Sequence, residues 1–403
     1  MKTGMTIDPI TFAVIKSGLD SIADDMAYTV VRIARSEIVK DVMDFSAALC
    51  AADGQMVAQA KTIAQHLGAI PEAMAAVLAR FGDDLNDGDA VIMNDPYHGG
   101  MHLPDIFMFM PLHFEGQRRA FAVVICHHTD VGGRVPGSNA SDSTEIYQEG
   151  LRIPPLKLYD RGTLNETLAT LIKINVRVPD RVWGDLSAQY AAAQVGKRGL
   201  EKLLVRYGAD EVEAYMSELL DYAERLTRAE IKTWPRGRYE FADYIDSDGF
   251  SDAPIPIKAA ITVRDDGTLL VDYTGSSPQV KGALNSTLSF THSLTYLSVR
   301  CVLPKDVPNN VGFFRCIEVK VPEASVLNPV MPGPCAARAL TGYRVFDTML
   351  GALAQIVPER VPAAGEGGNS VICISGLRPD RRPFIIVDMI CGAWGGRPDK
   401  DGL

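Results

Sequence analysis

Two apolar runs of strand length, Ile106 to Leu112 and Ala120 to Cys126, flank the polar turn Glu115-Gly116-Gln117-Arg118-Arg119. Their strand length and the polar turn between them make a β-hairpin the expected structure. The composition allows a sizeable buried core. With 47% hydrophobic and 22% charged residues over 403 positions, the chain has the balance of a globular protein and the length for two or three domains.

The flanks supply the expected partners. Asp8-Pro9 has the form of a helix N-cap followed by proline at the first helical position, and Phe12, Ile15, Leu19, Ile22, Met26, Val30 and Ile33 continue it as one long amphipathic helix. A buried strand is expected from Asp44 to Ala52, ending in the Asp53-Gly54 turn. A helix is expected near Pro71 to Phe81, and a short interior strand over Ala90 to Met93. From about Leu164 to Ile231 the pattern is helical, and it breaks at Trp234-Pro235-Arg236-Gly237. Strand and turn signals follow, including Val371 to Ile374 and Phe384 to Ile390. The expected fold class is mixed α and β: a helix-rich, metal-binding first domain over residues 1–235, then a β-richer second domain over 236–403.

A net charge of -10 and the lack of any Lys/Arg run argue against nucleic acid as a partner. No stretch approaches the length of a membrane span, and the N-terminus lacks the apolar core of a signal peptide, so a cytoplasmic location is expected. The seven cysteines are scattered singly, mostly in apolar runs, and read as buried reduced thiols; nothing beside them would activate a nucleophile.

The chemistry concentrates elsewhere. Five of the seven histidines lie between positions 98 and 128, four of them in Asn94-Asp95-Pro96-Tyr97-His98-Gly99-Gly100-Met101-His102-Leu103-Pro104-Asp105 and Cys126-His127-His128-Thr129-Asp130. Neutral imidazoles and ionised carboxylates on strand ends and a tight glycine loop are what a divalent metal needs. Each histidine alone is more often an ordinary hydrogen-bonded loop residue; the clustering favours the metal. Asp44 is as readily a turn or cap residue as a ligand on spacing alone. Asp130, Glu145 and Glu149 flank the cluster as candidate general bases, with surface or capping roles of equal weight. The Gly132-Gly133 and Gly137-Ser138-Asn139 turns could offer N–H groups to a phosphate or an oxyanion, or be plain loops. There is no Walker A sequence and no dinucleotide fingerprint.

These residues carry a resemblance. Asp44-Phe45-Ser46, Ala52-Asp53-Gly54, Val57-Ala58-Gln59, His66-Leu67-Gly68, Asn94-Asp95-Pro96-Tyr97, His102-Leu103-Pro104-Asp105 and His127 to Gly133 resemble the hydantoinase B/oxoprolinase family in order and spacing. Gln148-Glu149-Gly150, the Arg177 to Gln189 stretch, Asp272 to Pro278, Pro308 to Gly312 and Gly395-Gly396-Arg397-Pro398 extend the match over nearly the whole chain. The resemblance implies a subunit acting with a larger, ATP-binding hydantoinase A-type partner that phosphorylates an amide or enol oxygen. It implies one metal ion on Asp44, His102, Asp105 and His127, with His98 and His128 beside it; the mixed O/N donor set suits Zn, Mn or Fe, and Glu149, from its flanking position, joins His98 and His128 as a catalytic candidate. The leading expectation is a hetero-oligomeric, ATP-dependent hydrolase of cyclic amides such as 5-oxoproline, a hydantoin or another lactam. The alternatives are a ketone carboxylase subunit like that of acetone carboxylase, and a non-catalytic scaffold. Members of the family usually run on past the glycine-rich segment around Trp394, so the C-terminal part of the family chain is expected to be missing here.

Overall fold

A computed structural model describes residues 7–66, 68–368, 370–390 and 392–402. Its centre is a seven-stranded sheet built from β1 (Phe45–Ala51), β2 (Met56–Gln59), β3 (Ala90–Met93), β4 (Asp105–Phe114), β5 (Gln117–His127), β6 (Leu156–Asp160) and β7 (Thr163–Leu164). The strand order is β2-β1-β5-β4-β3-β6-β7, and every pairing is antiparallel. The expected hairpin is β4–β5, with Glu115 and Gly116 both at positive φ in its turn.

Antiparallel strands that are covered on one face alternate apolar and polar residues. These do not, because both faces are covered. Side chains of one parity, such as Ala47, Leu49, Met108 and Val124, pack against α1 (Pro9–Ile33), α5 (Pro179–Tyr207) and α6 (Ala209–Ile231). Those of the other parity, such as Ala48, Phe107, Phe109 and Ile125, pack against α3 (Ile70–Phe81), α7 (Leu288–Val302) and α9 (Arg338–Leu353). The short helices α2 (Glu37–Lys40), α4 (Glu166–Asn175) and α8 (Val311–Phe314) complete the helical set.

The expected N-cap is present: Asp8 Oδ2 accepts from Thr11 N at 2.8 Å, an interaction worth about 1 kcal/mol to a helix. Ile15, Leu19, Ile22, Met26 and Val30 form the buried stripe of α1. Helix α5 can lie between α1 and the sheet because it presents glycine there. A Cβ on Gly196 would stand 2.7 Å from Met26 Sδ and 3.1 Å from Ala122 Cβ.

After Gly237 the chain becomes richer in strand, with β8 (Gly237–Ile245), β9 (Ile255–Val263), β10 (Leu269–Asp272) and β11 (Ile317–Lys320) ordered β11-β10-β9-β8 in a second sheet. The second core takes residues from both sides of this point, among them Phe107, Ile231 and Trp234 with Ile257, Phe290 and Met349. A final hairpin, β12 (Ser370–Leu377) and β13 (Pro383–Ile390), stands apart from both sheets.

The cysteine reading needs correcting. Cys50, Cys126, Cys316 and Cys335 are buried free thiols, but Cys301 and Cys373 are exposed. An apolar run on a helix or on an isolated hairpin still has an outer face, and these two thiols occupy it. Cys391 lies outside the described residues. Among the described residues, no helix is long and apolar enough to cross a membrane.

Candidate metal centre

Strand pairing assembles the site. Asp44 immediately precedes β1, Asp105 opens β4 and His127 closes β5, and these three strands are neighbours in the order β1-β5-β4. Asp105 and His127 are register partners, and His127 N donates to Asp44 O at 3.0 Å. The three residues share the parity of Ala48, Phe107 and Ile125, so their side chains emerge on the α3/α7/α9 face at one end of the sheet. His102 joins them through the turn before β4. There Gly99 has φ +94°, and a Cβ on Gly100 would stand 2.5 Å from Asn94 O, so the turn closes only with glycine.

His102 Nε2 lies 3.1 Å from Asp105 Oδ2, and the His102 and His127 ring centroids are 5.0 Å apart. On the other side of Asp105, His66 Nε2 lies 3.6 Å from Asp44 Oδ1. The ligand atoms of His102, Asp105 and His127 fall within 4.8 Å of one another, as do those of Asp44, His66 and Asp105. All five residues are buried. Asp44, His66, His102 and His127 line a cavity of about 330 Å³. Its other walls are the first turn of α9 and, from β12 and β13, Ser370, Val371, Val387 and Met389.

The hydrogen bonds behind the histidines fix their tautomers. His102 Nδ1 can only donate to its partner, Ala336 O at 3.3 Å, so Nε2 keeps its lone pair and turns it toward a carboxylate oxygen. Ser46 Oγ donates to Ile63 O and therefore accepts from His66 Nδ1 at 3.0 Å, which leaves His66 Nε2 an acceptor facing Asp44. Acceptors facing acceptors in a buried space call for a cation. His102 Nε2, Asp105 Oδ1 and His127 Nδ1 are buried without a hydrogen-bond partner, which fits the donor set of a divalent metal.

Electrostatics support that fit. Burial, and then the neighbouring His102, hold His127 well below the ordinary imidazole value, so it stays neutral. Burial likewise lowers His66, to about 4. Burial and the Asp105 charge raise Asp44 to about 7. Burial also opposes ionisation of Asp105, but a proton shared with His102 when no ion is bound, together with the Arg338 charge, outweighs it and holds this carboxyl well below the usual range. The Arg338 guanidinium donates through Nη2 to Asp105 Oδ2 at 2.6 Å.

Of the seven expected site residues, Asp44, His102, Asp105 and His127 come together; the other three stand apart. His98 is half-exposed and paired with Asp95 at 3.0 Å, a carboxylate also held by Arg152. His128 emerges on the opposite face of the sheet, where its Nε2 lies 3.0 Å from Gln189 Oε1 on α5. Glu149 is buried behind the cavity wall. Its Oε1 accepts from Cys335 N at 2.8 Å and Ala336 N at 2.9 Å, so it anchors the carbonyl that orients His102. Asp130 is occupied by Arg177 and the Gly132 and Gly137 N–H groups, and Glu145 is exposed. Sequence reasoning assigned no role to His66 or Arg338. His66 belongs to the His66-Leu67-Gly68 motif, whereas Arg338, 233 positions beyond Asp105, gave no signal.

A buried Asp/His cluster at one end of a doubly covered antiparallel sheet defines a candidate metal centre. Residues 8–403 match Hydantoinase B/oxoprolinase, and the chain belongs to that family. It is 34% identical to a putative D-/L-hydantoinase component of Pseudomonas sp. (strain NS671), over 98% of this chain and 69% of that protein. The crystal structure of ATP-dependent caprolactamase from Pseudomonas jessenii superposes with a TM-score of 0.88 at 33% identity, covering 95% of this chain and 66% of that one. The nucleotide-free structure of acetone carboxylase gives a TM-score of 0.91 at 20% identity, over 98% of this chain and 55% of that one, and so shares the fold. The chain thus spans about two thirds of the length of the first two.

Proposed function

We propose that this chain is the metal-holding subunit of an ATP-dependent hydrolase of cyclic amides (5-oxoproline, a hydantoin or a related lactam), acting on an intermediate phosphorylated by a hydantoinase A-type partner. The observation that carries the reading is the set of buried, unpartnered acceptors on His102, Asp105 and His127, with Asp44 and His66 beside them. Asp44, His102, Asp105 and His127 would hold the ion (Zn, Mn or Fe), with His66 adjacent. Bound there, a divalent metal would polarise an acyl or phosphoryl oxygen and lower the pKa of water.

The chain's own residues prepare that chemistry. Ala336 O holds His102 in the tautomer that leaves Nε2 open, and Ser46 does the same for His66. Arg338 offsets the charge of Asp105. The wall formed by α9 and the final hairpin limits water around a cavity of small-molecule size. An unactivated amide is a poor electrophile, and O-phosphorylation supplies the leaving group. Likeness above 30% identity to a putative hydantoinase component and to an ATP-dependent caprolactamase supports a hetero-oligomeric system with these roles.

The deciding experiment is substrate-dependent ADP release by the chain with its ATP-binding partner, comparing 5-oxoproline, hydantoins, lactams and ketones. The expected result is ring-opened product from a cyclic amide without bicarbonate. Turnover confined to a ketone plus bicarbonate would replace this reading with a carboxylase. No turnover with any substrate, despite bound metal, would leave a scaffold.

A further inference from the structure

The first turn of α9 forms one wall of the cavity, through Ala336, Ala337, Arg338, Ala339 and Leu340. This helix is 16 residues long, and its N-cap position, Ala337, makes no side-chain capping hydrogen bond. Arg338 N donates to Cys335 O and Leu340 N to Ala337 O, both at 3.1 Å, so a side-chain cap is missing at the positive end of the helix dipole while Ala339 N remains for a further acceptor. A second, independent feature meets it there. Arg338 is only 6% exposed, with its guanidinium carbon 4.5 Å from the centroid of the Phe290 ring and Nη2 on Asp105. Its Nε is buried and has no hydrogen-bond partner. A buried guanidinium donor left unpaired costs about 1–3 kcal/mol or more, so the fold retains at the cavity wall a donor that no protein group satisfies.

Arginine presents its donors as a planar fork that matches the oxygens of phosphate or carboxylate, and an uncapped helix N-terminus favours the same ligands. We propose that Arg338 and the first turn of α9 form an oxyanion subsite that takes the phosphoryl group of the activated substrate. Naming the phosphoryl group rests on the hydrolase reading above; the anion subsite rests on Arg338 Nε and the uncapped helix alone. Arg338 then has two contacts, Nη2 on Asp105 and Nε on the anion, and would hold the phosphoryl group next to the Asp/His cluster.

The test is titration of the metal-replete protein, in complex with its partner subunit, with inorganic phosphate, followed by calorimetry and by ³¹P line broadening, with acetate titrated in parallel. Wild type is expected to bind one phosphate per site. Arg338→Met keeps an unbranched stem over Phe290 and is expected to weaken binding at least tenfold with metal content unchanged by mass spectrometry. If that variant loses its metal or fails to fold, Ala337→Asp decides. It leaves Arg338 and Asp105 in place, adds a carboxylate at the partly exposed first turn, and is expected to weaken phosphate at least threefold. Wild-type affinity in both variants, no phosphate binding by wild type, or acetate binding in place of phosphate would each overturn the proposal. Binding is read without turnover, so a failure to open cyclic amides would count against the hydrolase reading and leave this result intact.

Discussion

His127 and His128 are adjacent in sequence and both buried, yet they meet opposite environments. On the α5 face, Gln189 Nε2 donates to Ile106 O and Val124 O, which obliges its Oε1 to accept from His128 Nε2. That network ties two strands to a helix. On the other face, His127 Nδ1 is left without a partner beside two more buried acceptors. Burial and residue type are the same on the two sides. His128 Nδ1 is also buried without a hydrogen-bond partner, so what separates a structural histidine from a candidate ligand is the company its unpartnered nitrogen keeps: His127 stands with His102 and Asp105 in a group whose ligand atoms lie within 4.8 Å of one another.

The largest expected effect comes from the open side. Asp105→Ala removes the carboxylate common to both ligand groups, so metal stoichiometry after dialysis should fall close to zero. Activity with the partner subunit should drop by about 10³-fold or more, since several kcal/mol of charge stabilisation are lost. His98→Ala, at a half-exposed ion pair outside the cavity, should retain its metal; loss of metal there would break the comparison.

A smaller effect is expected from the α5 side. Gln189→Ala strands His128 and two strand carbonyls, and should destabilise the apo protein by about 2–3 kcal/mol in urea unfolding while metal stoichiometry stays at wild-type level. If Gln189→Ala instead emptied the metal site, the two faces would not be independent.

A pH dependence sharpens the boundary between them. Burial pushes Glu149 up to about 8, against the pull of the Ala336 and Cys335 N–H groups. A carboxyl with a raised folded pKa keeps a proton that the unfolded chain releases from the ordinary value of 4.5 upward. Its contribution to stability is therefore complete below about pH 4.5 and is lost as pH rises through about 8. Glu149→Gln should flatten this part of the apo stability profile, read as the unfolding midpoint at about pH 5 and about pH 8.5. Glu149→Ala should also loosen Ala336 behind His102 and weaken metal binding by about tenfold.

Much of this architecture was legible in the sequence because particular residues admit few alternatives. Asp8-Pro9 set the start of α1, the runs Ile106 to Leu112 and Ala120 to Cys126 around a polar turn marked the β4–β5 hairpin, and Gly99-Gly100 marked the turn that brings His102 to Asp105. The candidates His102, Asp105 and His127 were visible because they are close in sequence, whereas Asp44 stood out only through the family resemblance. The same closeness misled for His98 and His128, since one step along a strand reverses the face and one loop residue can point to solvent. His66 and Arg338 come from a one-turn helix and from the start of α9, brought in by tertiary packing that no local pattern encodes. The exposed Cys301 and Cys373 show the same limit: an apolar neighbourhood in sequence does not say which face a residue takes.

The register of the central ladder gives the cluster one more role. Asp44 and His127 lie on neighbouring antiparallel strands, and a slip of one residue between β1 and β5 would turn one of them to the α5 face while leaving most apolar contacts chemically acceptable, because both faces of this sheet are greasy. Hydrophobicity alone therefore discriminates weakly between the native pairing and its nearest competitor. An ion that needs Asp44, Asp105 and His127 on one side binds only the correct pairing and stabilises it by mass action, so metal uptake would also serve as proofreading for the assembly of the sheet.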